Sequence, residues 1–196
     1  MLDQVIDFLV GLDIKLHIEL GFKNHTIFEK IERSLLSMND ENNKSFLEEL
    51  IRHWTRRYGM EVVESWYIEI EKNSVVQENV DAEEYFKVFD TIAGIFKNYA
   101  PNIKVGGAGF SLNMMEEEFC QLLSEWKKKK HQPDFISLYS YPYLRDAEIL
   151  DAGRNPYSSD TSYLYHQIQQ AKTDLRRVGM DETELLVTEW SSTLSN

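Results

Sequence analysis

Five short runs rich in β-branched and apolar residues punctuate this chain: Ile14 to Leu20, Trp66 to Ile70, Lys104 to Gly107, Asp134 to Leu138 and Glu184 to Thr188. Between them lie longer stretches whose apolar residues recur at three and four, namely Phe46, Leu50 and Trp54; Tyr85, Phe89, Ile92, Phe96 and Tyr99; Phe119, Leu122 and Trp126; and Leu164, Ile168, Ala171, Leu175 and Val178. An opening stripe, Val5, Phe8 and Leu9, predicts a helix before the first strand. Short β runs alternating with helical runs are the pattern of repeated βα units around a parallel sheet. Helix punctuation agrees, with Asp81 ahead of Glu83 and Glu84 as an N-terminal signal, Pro101 past Tyr99, and Gly179 past the last stripe as a C-terminal cap. The stretches Asn39 to Asn43 and Gly153 to Asp160 read as surface loops.

Strand parity decides between an open sheet and a barrel. In the first strand Leu16, Ile18 and Leu20 share one face while Lys15, His17 and Glu19 share the other, and in the second Tyr67, Glu69 and Glu71 lie together. A central strand between two helical layers is apolar on both faces, whereas the lumen of a barrel near its mouth accommodates charge. A complete eight-stranded barrel takes about 250 residues, and this chain has 196, of which 42% are hydrophobic. The expectation is therefore an α/β fold, a partial (β/α)8 TIM barrel of about five parallel strands, with residues 1–196 as a single domain.

Charge narrows the partners. Twenty-one Lys and Arg against 33 Asp and Glu give a net charge of -12, too acidic for this segment to neutralise a run of phosphates, so no direct nucleic-acid contact is expected. The run Lys127 to Lys130 reads as a solvated helix end. No apolar run is long enough for a membrane span and the start has no signal-peptide pattern, so a soluble, cytoplasmic chain with no membrane contact is expected. The one cysteine, Cys120, excludes a disulfide framework and reads as a small buried hydrophobe.

Carboxylates at strand ends carry the chemistry, because barrel enzymes place catalytic groups on the loops after their strands. Glu189 follows the apolar run Leu185-Leu186-Val187 and precedes Trp190. A flat ring beside a carboxylate suits a sugar, covering the apolar face of a pyranose while charge meets its hydroxyls; a solvated strand-end charge is the plainer alternative. His17 and Glu19 are two residues apart and read as a hydrogen-bonded lumen pair or, with a third ligand not evident, as part of a metal site. Tyr139, Tyr141 and Tyr143 line one strand exit, either as a sugar platform or as loop packing. Gly106-Gly107-Ala108-Gly109 lacks the Lys-Ser/Thr of a phosphate loop and reads as close backbone packing. No cofactor and no metal are expected.

These segments together resemble glycoside hydrolase family 39, which contains β-xylosidases and α-L-iduronidases. The resemblance is carried by Ile18-Glu19-Leu20-Gly21-Phe22, Trp66-Tyr67-Ile68-Glu69-Ile70, Val105-Gly106-Gly107-Ala108-Gly109, Asp134-Phe135-Ile136-Ser137-Leu138 and Thr188-Glu189-Trp190. It implies a (β/α)8 hydrolase with two catalytic glutamates, of which these five strands match the third to the seventh. The nucleophile position then falls on Glu189. The acid/base position falls on Asn73, within Glu71-Lys72-Asn73-Ser74 where the family has Trp-Asn-Glu-Pro, and an amide cannot release a proton to a leaving alkoxide. Lys72 stands where the family has a sugar-binding Asn, and Tyr139 where it has a His. Glu71 shares the parity of Asn73 but lies about 7 Å deeper along the strand, whereas retaining hydrolysis sets its carboxyls about 5 to 5.5 Å apart.

The resemblance thus implies a carbohydrate-binding, catalytically impaired domain, with Glu189 and Asn73 at the catalytic positions and Trp190, Tyr139, Tyr141, Lys72, Glu71 and Glu19 at the sugar. Such degenerate barrels occur as sugar-sensing C-terminal domains of AraC-type bacterial transcription regulators. The rivals are an active retaining β-xylosidase acting on xylo-oligosaccharides and a structural module with no ligand. The expected partner is a sugar or xylo-oligosaccharide, with self-association through open barrel edges as a second contact.

Overall fold

The computed structural model describes residues 2–20, 41–71, 82–111, 116–141 and 160–190. In chain order these form α1 (Leu2–Gly11), β1 (His17–Leu20), α2 (Glu41–Tyr58), α3 (Met60–Glu64), β2 (Tyr67–Glu71), α4 (Ala82–Tyr99), β3 (Lys104–Ser111), α5 (Glu116–Trp126), β4 (Phe135–Ser140), α6 (Tyr163–Arg177) and β5 (Glu184–Trp190). Strand order follows chain order, β1-β2-β3-β4-β5, with β1 on β2 and β4 on β5 parallel. A doubly wound sheet reverses its order at a switch point, whereas a barrel does not. The fold is a partial (β/α)8 barrel of five parallel strands. The chain divides within β3 into two compact units, Met1–Gly107 and Ala108–Asn196.

In the first unit α2 and α4 supply the apolar cover. The buried stripe of α2 is Leu47, Ile51 and Trp54, while Phe46 is exposed, so the helix is rotated by about one residue from the stripe expected through Phe46 and Leu50. Trp54 meets Trp66 edge to face at 5.6 Å between ring centroids and Phe96 at 6.4 Å, and pairs of this kind add about 0.5–1.5 kcal/mol beyond their buried area. The stripe of α4 packs as its spacing predicts, from Tyr85 through Phe89 and Ile92 to Phe96. Tyr85 donates its hydroxyl to the carbonyl of Ile70 at 2.9 Å. A side chain at Gly107 would strike that same carbonyl, which accounts for one glycine of the Gly-rich run.

Helix α1 departs from its expected stripe: Ile6 is buried, but Val5 and Phe8 are exposed, Phe8 by 66%. Polar contacts to α2 hold it instead. Arg57 donates from Nε and Nη2 to the two carboxylate oxygens of Asp7 at 2.8 and 2.6 Å, and His53 bonds Asp3 at 3.0 Å. The helix α2 starts at Glu41, so the polar stretch expected as a loop over Asn39 to Asn43 ends earlier than its composition suggests.

In the second unit Phe110 packs on Phe119 and Trp126, with ring centroids at 5.4 and 6.4 Å. The buried face of α5 runs through Phe119, Leu123 and Trp126. Gly179 ends α6 as expected, with φ +70 and the Schellman-type bond from Met180 N to Leu175 O at 2.8 Å. Lys127 is more than a solvated helix end. Its Nζ donates to the carbonyls of Val178 and Gly179 at 2.9 and 2.8 Å, closing the C-terminus of α6. Cys120 is half-buried rather than fully buried; desolvation pushes its thiol up, with Asp174 adding to the shift. Asp81 and most of Gly153 to Asp160 lie outside the described residues.

Candidate functional site

Two faces of the strands carry the polar residues singled out by the sequence. On the first, β1 and β2 pair in register with His17 opposite Tyr67 and Glu19 opposite Glu69. Partners in a parallel register point to the same side, so His17, Glu19, Tyr67, Glu69 and Glu71 share one face. His17 Nε2 donates to Glu69 Oε2 at 2.7 Å. This bond crosses to the neighbouring strand, which lies about 4.8 Å away. Glu69 is 1% exposed and its Oε1 has no hydrogen-bond partner. Glu71, also buried, ends β2, and Glu19 is exposed. Lys72 and Asn73 lie outside the described residues. Among the described residues no group of three or more His, Cys, Asp or Glu could hold a metal ion.

The second face belongs to β4 and β5. Their register runs Phe135 opposite Glu184 to Leu138 opposite Val187, then shifts so that Tyr139 stands opposite Glu189. Thr188 is the extra residue of this bulge, and its Oγ1 is buried with no hydrogen-bond partner. An unbroken register would set Thr188 beside Tyr139 and turn Glu189 to the opposite face. The bulge re-aims the carboxylate, a device common beside functional sites. Tyr141, two residues beyond Tyr139, donates its hydroxyl to Glu189 Oε2 at 2.6 Å. Glu189, Tyr139 and Tyr141 are each half-buried, while Trp190 is 60% exposed. Tyr143 lies outside the described residues.

Beside Tyr139, the β3 residue Gly109 has φ +67, and its N–H donates to Ser137 Oγ at 2.8 Å. Composition signalled neither this seat nor the bulge, and the only traces in the sequence are a Gly-rich strand and a Thr before the Glu.

The family model for glycosyl hydrolases family 39 matches residues 1–195. The chain belongs to this family. It is 30% identical over 152 residues to a β-xylosidase of Caldicellulosiruptor saccharolyticus, covering 72% of this chain and 30% of that one. It is 24% identical over 179 residues to a β-xylosidase of Geobacillus stearothermophilus, covering 86% and 33%. The chain therefore spans about a third of the length of these relatives. Among solved structures, a monomeric β-xylosidase from Caulobacter crescentus CB15 superposes with a TM-score of 0.74 at 24% identity, over 99% of this chain and 41% of that one. This family 39 chain thus shares its fold with proteins more than twice as long.

Proposed function

We propose that this chain is a carbohydrate-binding domain whose hydrolytic machinery is impaired, serving as the cytoplasmic sugar-sensing part of an AraC-type bacterial transcription regulator. One observation carries the sugar site: the bulge at Thr188 sets Glu189 on the same face as Tyr139 and Tyr141, with Tyr141 bonded to the carboxylate. A carboxylate flanked by aromatic rings accepts hydroxyl donors and covers the apolar face of a sugar ring. The impairment rests on Asn73 at the acid position of the family pattern. A sensor needs differential binding and not turnover, so it functions without the acid. The ligand is a pentose or short xylo-oligosaccharide.

A second reading, an active β-xylosidase, draws support from the same Tyr141–Glu189 bond and from the β-xylosidase relatives. Calorimetry with xylobiose separates the readings. Binding lost in Glu189→Ala with xylobiose left intact supports the sensor, whereas binding followed by release of xylose supports the enzyme.

Self-association is part of the same proposal. Among the described residues the sheet ends at β1 and β5, whose residues are at most half-buried, and α1 exposes Leu2, Val5 and Phe8. Edges of this kind invite pairing. Light scattering on the protein is expected to report a species larger than one chain, and a clean monomer at high micromolar concentration contradicts this.

A further inference from the structure

We infer that Gly109 and Tyr139 act as one specificity-determining unit, in which the glycine lets the phenol ring lie down as an aromatic floor beside Glu189 and so selects pyranosides with an all-equatorial C–H face. The inference deepens the sugar-binding reading above and rests on it.

The geometry is local to the second unit. A Cβ built on Gly109 would stand 2.5 Å from the Tyr139 hydroxyl oxygen, 2.6 Å from Cζ and 3.0 Å from Cε2. The ring of Tyr139 therefore reaches from β4 across to β3 and rests on the glycine backbone. Two independent constraints make this position glycine. Its φ of +67 disfavours any side chain, and the ring occupies the space a methyl group would need. The bond from Gly109 N to Ser137 Oγ holds the seat from the strand that carries Tyr139, two residues before it. On its other side Tyr139 stands in register with Glu189. Tyr139 is half-buried, so part of it reaches solvent.

A ring laid flat contributes surface more than hydrogen bonds. A pyranose whose hydroxyls are all equatorial presents axial C–H bonds to such a surface, while an axial hydroxyl on that face interrupts contact and is desolvated without a partner. The floor therefore ranks sugars by the orientation of one hydroxyl, and the glycine sets its depth.

NMR titration of the protein with methyl β-xylopyranoside and with its 4-epimer, methyl α-L-arabinopyranoside, tests this. The xyloside is expected to bind at least fivefold tighter. Tyr139→Ala should weaken the xyloside about tenfold and erase the preference, whereas Tyr139→Phe, which keeps the ring, retains both. Gly109→Ala should match the loss in Tyr139→Ala, and the double variant should be no worse than Tyr139→Ala alone, because both act through one ring. Circular dichroism verifies that each variant is folded, and Tyr139→Ala and Tyr139→Phe decide the matter if Gly109→Ala is not. Binding abolished by Glu189→Ala but indifferent to Tyr139→Ala overturns this inference alone, as do additive losses in the double variant. Absence of binding by either sugar overturns both it and the reading on which it rests.

Discussion

The two polar strand faces use the same residue in opposite ways. On β2, Glu69 is sealed in the first unit and bonded to His17, with no opening left to its second oxygen. On β5, Glu189 stays half-buried and is bonded to a neutral phenol, Tyr141. A buried carboxylate held by a side-chain donor is left with an uncompensated desolvation cost when that donor is removed. A half-buried carboxylate that accepts a hydroxyl is oriented while part of it still reaches solvent. Carboxylates on these strands are therefore not equivalent, and burial separates Glu69 from Glu189.

The largest effect should come from breaking the bond between exposed His17 and buried Glu69. His17→Leu leaves the Glu69 carboxylate buried without its donor, and urea unfolding is expected to show a loss of about 2–3 kcal/mol. A loss below about 0.5 kcal/mol would mean that Glu69 is as free to bind a ligand as Glu189, and the contrast would collapse. Glu189→Gln should do the reverse, changing stability by under about 1 kcal/mol while weakening a bound xyloside about tenfold, equivalent to about 1.4 kcal/mol. Stability loss comparable to His17→Leu would return Glu189 to the structural class.

Tyr141→Phe sharpens the comparison further. It removes one hydrogen bond to a charged group, expected to cost about 1 kcal/mol, and should weaken sugar binding through misorientation of Glu189 with the ring surface intact. The smallest effect concerns α1. The Arg57 guanidinium beside Asp7 holds its carboxyl below the usual range, with Tyr58 acting in the same direction. A group whose folded pKa is lowered lends stability above its unfolded value, about 3.9, and loses it as pH falls through the folded one. Hydrogen exchange should report α1 loosening below about pH 4. Arg57→Gln should abolish that acid-dependent step.

All five strands and the barrel order were legible, because short β-branched runs between helical stripes have few other arrangements. Helix faces were less so. The sets Phe46, Leu50, Trp54 and Leu47, Ile51, Trp54 both satisfy helical spacing, and only the packing against the first unit's core chooses the second. On α1 the pattern failed, since docking there rests on Asp7 and Arg57, residues 50 positions apart in sequence. Glu189, Tyr139 and Tyr141 were legible as site candidates, and their arrangement was not. It depends on a one-residue bulge at Thr188 and on a glycine in the left-handed region on a different strand, and neither leaves a periodic trace. The tie of His17 to Glu69 likewise needs the β1–β2 register, which hydrophobic pattern alone leaves open.

The central claim is that Glu189 serves a sugar site that binds without cleaving, and hydrolysis of xylobiose against an aryl xyloside with an activated leaving group tests it most directly. General acid assistance is worth about 10² to 10⁴ in rate for a natural leaving group and little for an activated one. If Asn73 stands at the acid position as proposed, xylobiose should remain intact, any release should be confined to the aryl xyloside, and Asn73→Glu should raise turnover of xylobiose. Efficient cleavage of xylobiose by the unaltered protein, abolished in Glu189→Gln, would contradict the account.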